Sequence, residues 1–339
     1  MRLTDFDVPF DPSLIAEHPV EPRDQARLLV VPRASESYSH RRVADLPALL
    51  EPGDLLVVND TRVLAARLTG RKRPGGGRVE LVLVKDLGGN TWEVLLKGRV
   101  RPGHVIDLPE GASATVLAQD QGSTTLRFEG CASVGLLLLA AGQMPLPPYI
   151  KRAPTEADRA WYQTVFARQA GAIAAPTAGL HFTDSLLAAL RAREIGLATV
   201  TLHVGPATFR PVTVQDVGRH PMGVEWCDVP EETARTIART KARGARVVAV
   251  GTTVVRALET AAEVEGIVRP YRGETSLLIL PGYQFRAIDA LLTNFHLPRT
   301  TLVMLVAAFA GLDRVREAYR IAIAERYRFY SYGDAMLII

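Results

Sequence analysis

The chain has 339 residues, of which 47% are hydrophobic and 22% charged, and its formal net charge at pH 7 is +4 with neutral histidines. This profile is typical of a folded chain of about two domains, and it excludes extended disorder. No stretch approaches the roughly 18 uninterrupted apolar residues of a membrane span. The N-terminus lacks the basic start and apolar run of a signal peptide, so we expect a cytoplasmic protein.

The cysteines and the motif inventory exclude several common kinds of site. Cys131 and Cys227 are the only cysteines, and neither belongs to a C-x-x-C or Cys/His ligand pattern. The sequence also lacks the usual motifs for zinc peptidases, EF-hands, triphosphate-binding loops and dinucleotide-binding loops. We therefore expect no disulfide and no bound metal.

The first third of the chain changes its pattern near residue 63. Residues 26–32 and 54–60 are Leu- and Val-rich runs that predict strands buried on both faces. From about 63 to 128, short and often alternating apolar runs are separated by Gly, Pro, Asp or Asn. Five or six strands at such close spacing predict a small antiparallel barrel.

After a proline-rich segment at 144–152, predicted helices and strands alternate. This alternation predicts a largely parallel sheet. The simplest fold is an α/β domain of residues 1–62 and 150–339, with a mixed but largely parallel sheet, and an inserted antiparallel β-barrel domain of residues 63–149. The predicted helices are 156–167, 183–194, 230–244, 252–263 and one or two within 300–325, and the predicted strands are 197–204, 245–251 and 275–282.

Positive charge is concentrated in the predicted barrel. Residues 62–104 contain ten Lys and Arg against three acidic residues, although the whole chain nets only +4. A concentrated basic segment is typical of a nucleic-acid contact, because phosphate neutralisation supplies most nonspecific affinity. A solvated barrel surface would carry the same pattern.

Polar clusters follow several predicted strands of the α/β part. They lie at 59–62, 202–211 and 250–259, where ligands of open α/β sheets bind. In the third cluster, Gly251, Thr252 and Thr253 join a strand to a helix, and their free backbone N–H groups favour an anion. The same residues would also be expected if a threonine simply capped the helix and bound no ligand.

Four histidines lie in notable settings, at positions 181, 203, 220 and 296. His181 follows a Pro and Gly pair in APTAGLHF (175–182), a pattern that orients the backbone. A lone histidine is usually structural, and each of these carries that alternative. The C-terminal 319–336 mixes Arg with aromatic residues, which suits either stacking on RNA bases or burial in the core.

Many collinear segments together carry a resemblance to a known family. From about residue 5 to the C-terminus, the chain closely resembles the S-adenosylmethionine:tRNA ribosyltransferase-isomerases of queuosine biosynthesis. It departs from the family pattern at HPMGVE (220–225) and at Ser276, so we assign no catalysis to positions 221, 223, 224 or 276. The matching segments include HPVEPRDQARLLV (18–30), VNDTRVLAARL (58–68), MPLPPYIKR (144–152), APTAGLHFT (175–183), VTLHVGPATFRPV (200–212), VGTTVVRALE (250–259), PGYQF (281–285), LTNFHLPRTTLVMLVAAFAG (292–311) and YRFYSYGDAML (327–337).

The resemblance implies a transferase. Its members transfer and isomerise the ribosyl part of S-adenosylmethionine onto 7-aminomethyl-7-deazaguanine at the tRNA wobble position, giving epoxyqueuosine-tRNA, adenine and methionine. It implies an α/β domain with an inserted β-barrel, and no cofactor, since S-adenosylmethionine is consumed as a substrate. The expected partners are S-adenosylmethionine and tRNA with a GUN anticodon, bound by a monomer.

The candidate site residues follow from the strand-end clusters and the resemblance. The chemistry needs proton transfers near neutrality, so the catalytic candidates are His181 with His203 or His296. The substrate-binding candidates are Asn59, Asp60, Arg62, Thr177, Gly179, Arg210, Gly251, Thr252, Thr253, Arg256 and Asn294. The tRNA-binding candidates are Arg71, Lys72, Arg73, Lys97, Arg99, Lys151 and Arg152.

Three other functions compete with this hypothesis. An S-adenosylmethionine-dependent RNA methyltransferase would share both substrates, but no glycine-rich loop follows an early strand. A non-catalytic RNA-binding barrel protein would not need the polar strand-end clusters. A sugar or nucleotide hydrolase would need a carboxylate pair, and none is convincingly spaced.

Overall fold

The Leu- and Val-rich runs that predicted buried strands form part of one mixed sheet. The computed structural model describes residues 1–35, 37–120, 122–205 and 212–339. Within these residues the sheet has nine strands, and their lateral order is β15 (Tyr271–Thr275), β13 (Glu225–Val229), β12 (Gly196–Leu202), β3 (Leu55–Asn59), β14 (Val247–Val250), β16 (Ala290–Asn294), β17 (Ala335–Ile338), β1 (Arg27–Val31) and β2 (Ser39–Arg42). The four adjacent strands β12, β3, β14 and β16 are parallel, and antiparallel strands flank them. The predicted mixed, largely parallel sheet is confirmed.

Both faces of this sheet are covered, as its apolar runs predicted. Successive side chains of a strand point to opposite faces. In β3, Leu55 and Val57 therefore enter one hydrophobic core, while Leu56 and Val58 enter the other. All five residues of β3 are buried.

Helices supply the two covering layers. The predicted helices at 183–194, 230–244 and 252–263 are confirmed, and the segment 300–325 forms two helices that meet at Gly311, whose φ of 92° ends the first. Across the described residues, no helix is long and apolar enough to cross a membrane. The helices are α1 (Leu46–Leu49), α2 (Val134–Ala141), α3 (Asp158–Trp161), α4 (Asp184–Ala192), α5 (Glu231–Ala242), α6 (Thr252–Ala261), α7 (Thr301–Ala310) and α8 (Leu312–Ala324).

The predicted helix at 156–167 is wrong, because only the short α3 forms there. Tertiary hydrogen bonds take the backbone groups that a longer helix would use. Arg23 donates to the carbonyl oxygens of Ala160 and Gln163, the latter at 2.7 Å. The Gln163 side-chain amide in turn pairs with both backbone groups of Val63, at 2.7 and 3.1 Å. The segment is thereby held against the start of the barrel.

The predicted strand at 275–282 is also wrong. Strand β15 ends at Thr275, where the prediction began. Beyond it, the carbonyl oxygen of Leu277 accepts a hydrogen bond from Arg256 Nε at 3.0 Å instead of joining a ladder. Sequence reasoning also missed the sheet strands β2, β13, β16 and β17.

The basic middle of the chain forms a closed, six-stranded antiparallel barrel, as predicted. Its core includes Leu68, Leu81 and Val94, and α2 adds Leu137 from outside the strands. The exact domain bounds, 63–149 for the insert, stay a prediction. In lateral order the barrel strands are β10 (Ser123–Glu129), β7 (Thr91–Lys97), β6 (Arg78–Gly88), β5 (Arg67–Arg73), β8 (Val105–Asp107) and β9 (Ser113–Asp120); β4 (Thr61–Val63) and β11 (Gln169–Ala172) pair separately.

One edge of the large sheet gathers the polar strand ends. The parallel strands β3, β14 and β16 end there, and β17 begins there because it runs antiparallel to β16, with Asn294 paired to Ala335. The C-terminal rings of Tyr327 and Phe329 are fully buried. The hypothesis that these rings pack in the core is therefore confirmed, and stacking on RNA bases is wrong for them.

Candidate active site

A cleft of about 420 Å³ opens at this edge of the sheet. Its size lies within the range of about 300–1,000 Å³ that is usual for small-molecule sites. The structure brings six predicted residues together in its lining: Thr177, Thr252, Thr253, Arg256, Asn294 and His296. The other predicted residues lie elsewhere, as described below.

The N-terminus of α6 faces the cleft. Gly251 precedes the helix with φ of 96°, a conformation that favours glycine, and its N–H donates to Leu292 O at 2.8 Å. The first N–H groups of α6 have no carbonyl one turn earlier to bind, and they carry the positive end of the helix dipole. With Thr252 and Thr253 in the lining, this end of the cleft suits an anion.

Arg256 adds a buried positive charge one turn further along α6. Its side chain is 8% exposed, and Nη1 forms an ion pair with Glu225, whose other carboxylate oxygen accepts from Gly205 N at 3.0 Å. Arg256 Nη2 has no hydrogen-bond partner among the described residues. Arg256 and Leu302 also line a second cavity of about 400 Å³, to which Leu277 contributes.

His296 lines the cleft and is held from two sides. Its Nε2 lies 2.8 Å from Thr293 Oγ1, and its backbone N–H donates to Tyr319 Oη at 2.7 Å. Burial lowers the pKa of His296 to about 4, so the ring is neutral at pH 7. The expectation of a group titrating near neutrality is wrong for this histidine.

His181 lies behind the cleft rather than in its lining. It ends the 3-10 helix Thr177–His181 and is 4% exposed, and its Nε2 has no partner among the described residues. Burial, with the charge of Arg328, lowers its pKa to about 4, while the neighbouring Asn294 side chain opposes the shift. His181 therefore lies outside the cleft lining, and it too does not titrate near neutrality.

Gly179 serves packing beneath this segment. A Cβ at this position would come within 2.9 Å of the Phe166 ring and of the Thr164 side chain. Only glycine allows this close approach. Gly179 does not line the cleft, so its position indicates a role in packing and argues against the predicted substrate contact.

His203 is also outside the cleft lining. Its Nδ1 lies 2.8 Å from Thr61 Oγ1, and its ring stacks on Trp226 with centroids 5.1 Å apart. Burial lowers its pKa, against the charge of Asp60. This placement argues against the predicted pairing of His203 with His181.

The cluster at 59–62 supports the site without lining it. Asn59 donates from Nδ2 to Leu202 O at 2.9 Å and to Thr253 Oγ1 at 3.3 Å, which ties β3 to the start of α6. Asp60 accepts from Thr201 Oγ1 at 2.6 Å, and Arg62 is exposed. Gly251 shapes the turn but does not line the cleft. Arg210, the remaining candidate, lies outside the described residues.

Three tyrosines of the lining were not predicted from the sequence as site residues. Tyr149, Tyr162 and Tyr330 all face the cleft, and the hydroxyls of Tyr162 and Tyr330 have no hydrogen-bond partner among the described residues. Tyr149 and Tyr330 lie in segments that carried the family resemblance, which was the available signal. Tyr162 lies in the wrongly predicted helix at 156–167, and no sequence signal marked it as a site residue.

The predicted tRNA-binding residues lie in three settings: a surface pocket, other exposed positions and one buried ion pair. Lys72 and Arg99 line a surface pocket of about 460 Å³ on the barrel together with Arg101. Lys151 is exposed, but Arg152 is bound at 2.7 Å by each carboxylate oxygen of the buried Asp158, which argues against a phosphate contact. The other candidates on the barrel, all exposed, are Arg71, Arg73 and Lys97.

The fold and the site together define a class: an α/β protein with an inserted basic barrel and a cleft at the strand ends that suits a small anionic ligand. Among the described residues, no group of three or more His, Cys, Asp or Glu could hold a metal ion. A profile of the family described as "Queuosine biosynthesis protein" matches residues 3–338, and the chain belongs to that family. The family resemblance predicted from the sequence is confirmed.

Relatives named S-adenosylmethionine:tRNA ribosyltransferase-isomerase match the chain over its full length. The protein of Acidiphilium cryptum is 53% identical over 346 residues, covering 100% of this chain and 99% of the relative. That of Citrifermentans bemidjiense is 52% identical over 342 residues, covering 100% of both. The crystal structure of S-adenosylmethionine tRNA ribosyltransferase from Thermotoga maritima matches with a TM-score of 0.57 and 38% identity, covering 99% of this chain and 100% of that chain.

Proposed function

We propose that this chain catalyses the S-adenosylmethionine:tRNA ribosyltransferase-isomerase reaction. It transfers and isomerises the ribosyl moiety of S-adenosylmethionine onto 7-aminomethyl-7-deazaguanine at the wobble position of tRNA with a GUN anticodon, and it releases adenine and methionine. The observation that carries the proposal is the full-length similarity, at about half of all positions, to relatives of that name. The cleft supports it with groups that suit this substrate.

The methionine carboxylate of S-adenosylmethionine is assigned to the α6 end of the cleft. Backbone N–H groups at a helix N-terminus bind carboxylates, and Thr252 and Thr253 stand there. Arg256 Nη2 is a buried donor without a partner among the described residues. The charge of Arg256 is already paired with Glu225, but the Nη2 donor is costly to bury without an acceptor, and a ligand carboxylate that accepts from it removes that cost.

His296 is the histidine best placed for proton transfer at the substrate. The reaction needs a base for the proton on the ribose 5′ carbon beside the sulfonium, and adenine must gain a proton as it leaves. His296 engages Thr293 through Nε2, which leaves Nδ1 for the substrate. His181, which neighbours Asn294 outside the lining, is assigned a packing role that keeps the Asn294 side chain in place.

The barrel supplies the contact with the RNA backbone. Its exposed Lys and Arg neutralise phosphates, and the surface pocket at Lys72 and Arg99 lies among them. Lys151 extends this set outside the barrel. Cytoplasmic location, a monomeric state and the absence of a cofactor stay predictions.

A product analysis tests the proposal. The purified protein is incubated with S-adenosylmethionine and tRNA that carries the aminomethyl-deazaguanine, and released molecules and digested nucleosides are analysed by mass spectrometry. Adenine, methionine and an epoxycyclopentane-bearing nucleoside are the expected products. S-adenosylhomocysteine with a methylated nucleoside would establish the methyltransferase instead, and RNA binding without turnover would establish the non-catalytic barrel protein.

A further inference from the structure

The chemistry of the cleft changes from one end to the other. Along the strand order from β13 to β17, the lining begins at Arg256, which is paired with Glu225 of β13. It continues with Thr252 after β14 and Asn294 at the end of β16, and it reaches Ser331 shortly before β17. One end therefore carries the Arg256–Glu225 ion pair with a spare Arg256 donor, and the other carries hydroxyl groups.

The hydroxyl end is built from three tyrosines and one serine. Tyr149 Oη lies 2.7 Å from Ser331 Oγ, and the rings of Tyr149 and Tyr330 have centroids 4.7 Å apart with planes tilted by 39°. Tyr162 is fully buried and Tyr330 is 4% exposed. The Tyr330 hydroxyl has no hydrogen-bond partner within the described ranges, and that of Tyr162 lies near Ser331 and the Ala175 backbone without forming a hydrogen bond.

These two hydroxyls are costly for the protein alone. A buried polar group without a partner loses its hydrogen bonds to water and gains nothing in return. Burial raises the pKa of both tyrosines, so they stay protonated and can donate. Beside them, Asn294 donates to Tyr330 O at 2.9 Å, while its Oδ1 has no partner among the described residues and can accept.

We propose that Tyr162 and Tyr330 bind the adenine ring of S-adenosylmethionine by donating hydrogen bonds to its ring nitrogens, with Asn294 Oδ1 accepting from the exocyclic amine. This inference rests on the proposed function, because it takes S-adenosylmethionine as the ligand. The carboxylate and the adenine lie at opposite ends of that molecule, so a carboxylate at Arg256 directs the adenine to the tyrosines. A flat aromatic ring with several acceptors and one amine matches two free donors and one free acceptor between aromatic walls.

Phenylalanine substitutions test the two hydroxyls. Tyr162→Phe and Tyr330→Phe are each expected to raise the KM for S-adenosylmethionine about fivefold, the usual effect of removing one neutral hydrogen bond. The ligand-free Tm should stay the same or rise in both, since each change removes an unpaired buried hydroxyl. Tyr327→Phe is the matched control, because its ring is fully buried and its hydroxyl lies 2.8 Å from His40 Nδ1 outside the cleft. The KM of this control should equal that of the unaltered protein.

Substrate analogues identify the atoms that are recognised. In each analogue one adenine ring nitrogen is replaced by C–H, and the release of the altered base is followed with substrate RNA present. We expect at least one analogue to raise the KM of the unaltered protein about fivefold but to have no further effect in the corresponding Phe variant.

Two results would overturn the inference while leaving the proposed function intact. The first is a KM within twofold of the unaltered protein for both Phe variants. The second is an equal effect of every analogue on the variants and on the unaltered protein. An unaltered protein that releases neither adenine nor methionine would instead refute the proposed function, and this inference with it.

Discussion

Replacing Arg152 separates a structural role from the tRNA contact predicted by sequence. Asp158 is fully buried, and Arg152, which is 15% exposed, binds both of its carboxylate oxygens at 2.7 Å. Thr155 N also donates to this carboxylate at 2.7 Å, and Tyr332 Oη does so at 2.9 Å. Arg152→Ala would leave a buried charge with only neutral partners.

The expected loss of stability in Arg152→Ala is about 3 kcal/mol. Removing one partner of a buried ion pair costs roughly 3–5 kcal/mol, and the remaining donors from Thr155 and Tyr332 place this variant at the lower end. Arg152→Lys keeps the charge but not the paired geometry, so about half of that loss is expected. Lys151→Ala is the control, because Lys151 is an exposed neighbour.

Two measurements check this reasoning. Equilibrium urea unfolding, followed by two independent probes, gives the free energy of unfolding. The salt dependence of tRNA binding should keep its slope in Arg152→Ala, because Asp158 engages Arg152 and we expect no phosphate contact from it. In Lys151→Ala the slope should fall by about 0.9, the usual value for one phosphate contact. A loss of stability below about 1 kcal/mol together with a reduced slope in Arg152→Ala would refute the structural role.

The same pair predicts an acid dependence of stability. Burial alone would raise the pKa of Asp158, but the Arg152 guanidinium, the Thr155 N–H and the Tyr332 hydroxyl outweigh it and lower the pKa to about 2. A carboxyl whose pKa is lowered on folding stabilises the protein above its unfolded pKa, here by about 2 kcal/mol, and this contribution is lost between about pH 4 and pH 2. In Arg152→Ala the pKa rises, so the loss should begin at higher pH.

Three further predictions concern the cleft and the barrel. His296→Ala should lower kcat by about 10²-fold or more, whereas His181→Ala should have the milder effect of raising the KM for S-adenosylmethionine. Because burial lowers the pKa of both histidines to about 4, neither should produce a transition in kcat/KM between pH 6 and 8. A transition near pH 6.5 that disappears in His296→Ala would contradict this. Gly171→Ala places a Cβ 2.7 Å from the His203 ring and should cost roughly 1–3 kcal/mol, yet turnover of the folded variant should survive; a large loss of kcat would return His203 to the catalytic candidates. The last prediction concerns the barrel cations Arg71, Lys72, Arg73, Lys97 and Arg99. Neutralising them should reduce the log–log slope of tRNA affinity against salt by about 0.9 for each phosphate that is no longer bound. An unchanged slope would show that these residues do not belong to the RNA interface.

Sequence patterns predicted the parts of the site whose geometry is local. A strand followed by Gly251 and two threonines places free N–H groups at a helix start, whatever the rest of the chain does. Likewise, continuous apolar runs such as 55–58 predict a strand covered on both faces, since successive side chains alternate. Both predictions needed only neighbouring residues.

Predictions that depended on distant partners were less secure. The helix predicted at 156–167 is shortened because Arg23 and Val63 capture the backbone and side chain of the 160–163 segment. By sequence, His181 was the first catalytic candidate, with His203 or His296 as its partner, but of the three only His296 enters the cleft lining. The burial that lowers the pKa of His181 comes from packing that no local pattern encodes.

By itself, the sequence determined the family, the alternation of helices and strands, the closed barrel and the glycine turn that begins a helix at 251–253. Each of these depends on residue periodicity or on short-range backbone chemistry. Only the tertiary structure decided that Tyr149, Tyr162 and Tyr330 share one wall of the cleft. They come from three separate segments that meet at one sheet edge. A tyrosine hydroxyl lacks a hydrogen-bond partner only when packing has excluded water from it, so the sequence alone could not reveal these unpartnered hydroxyls.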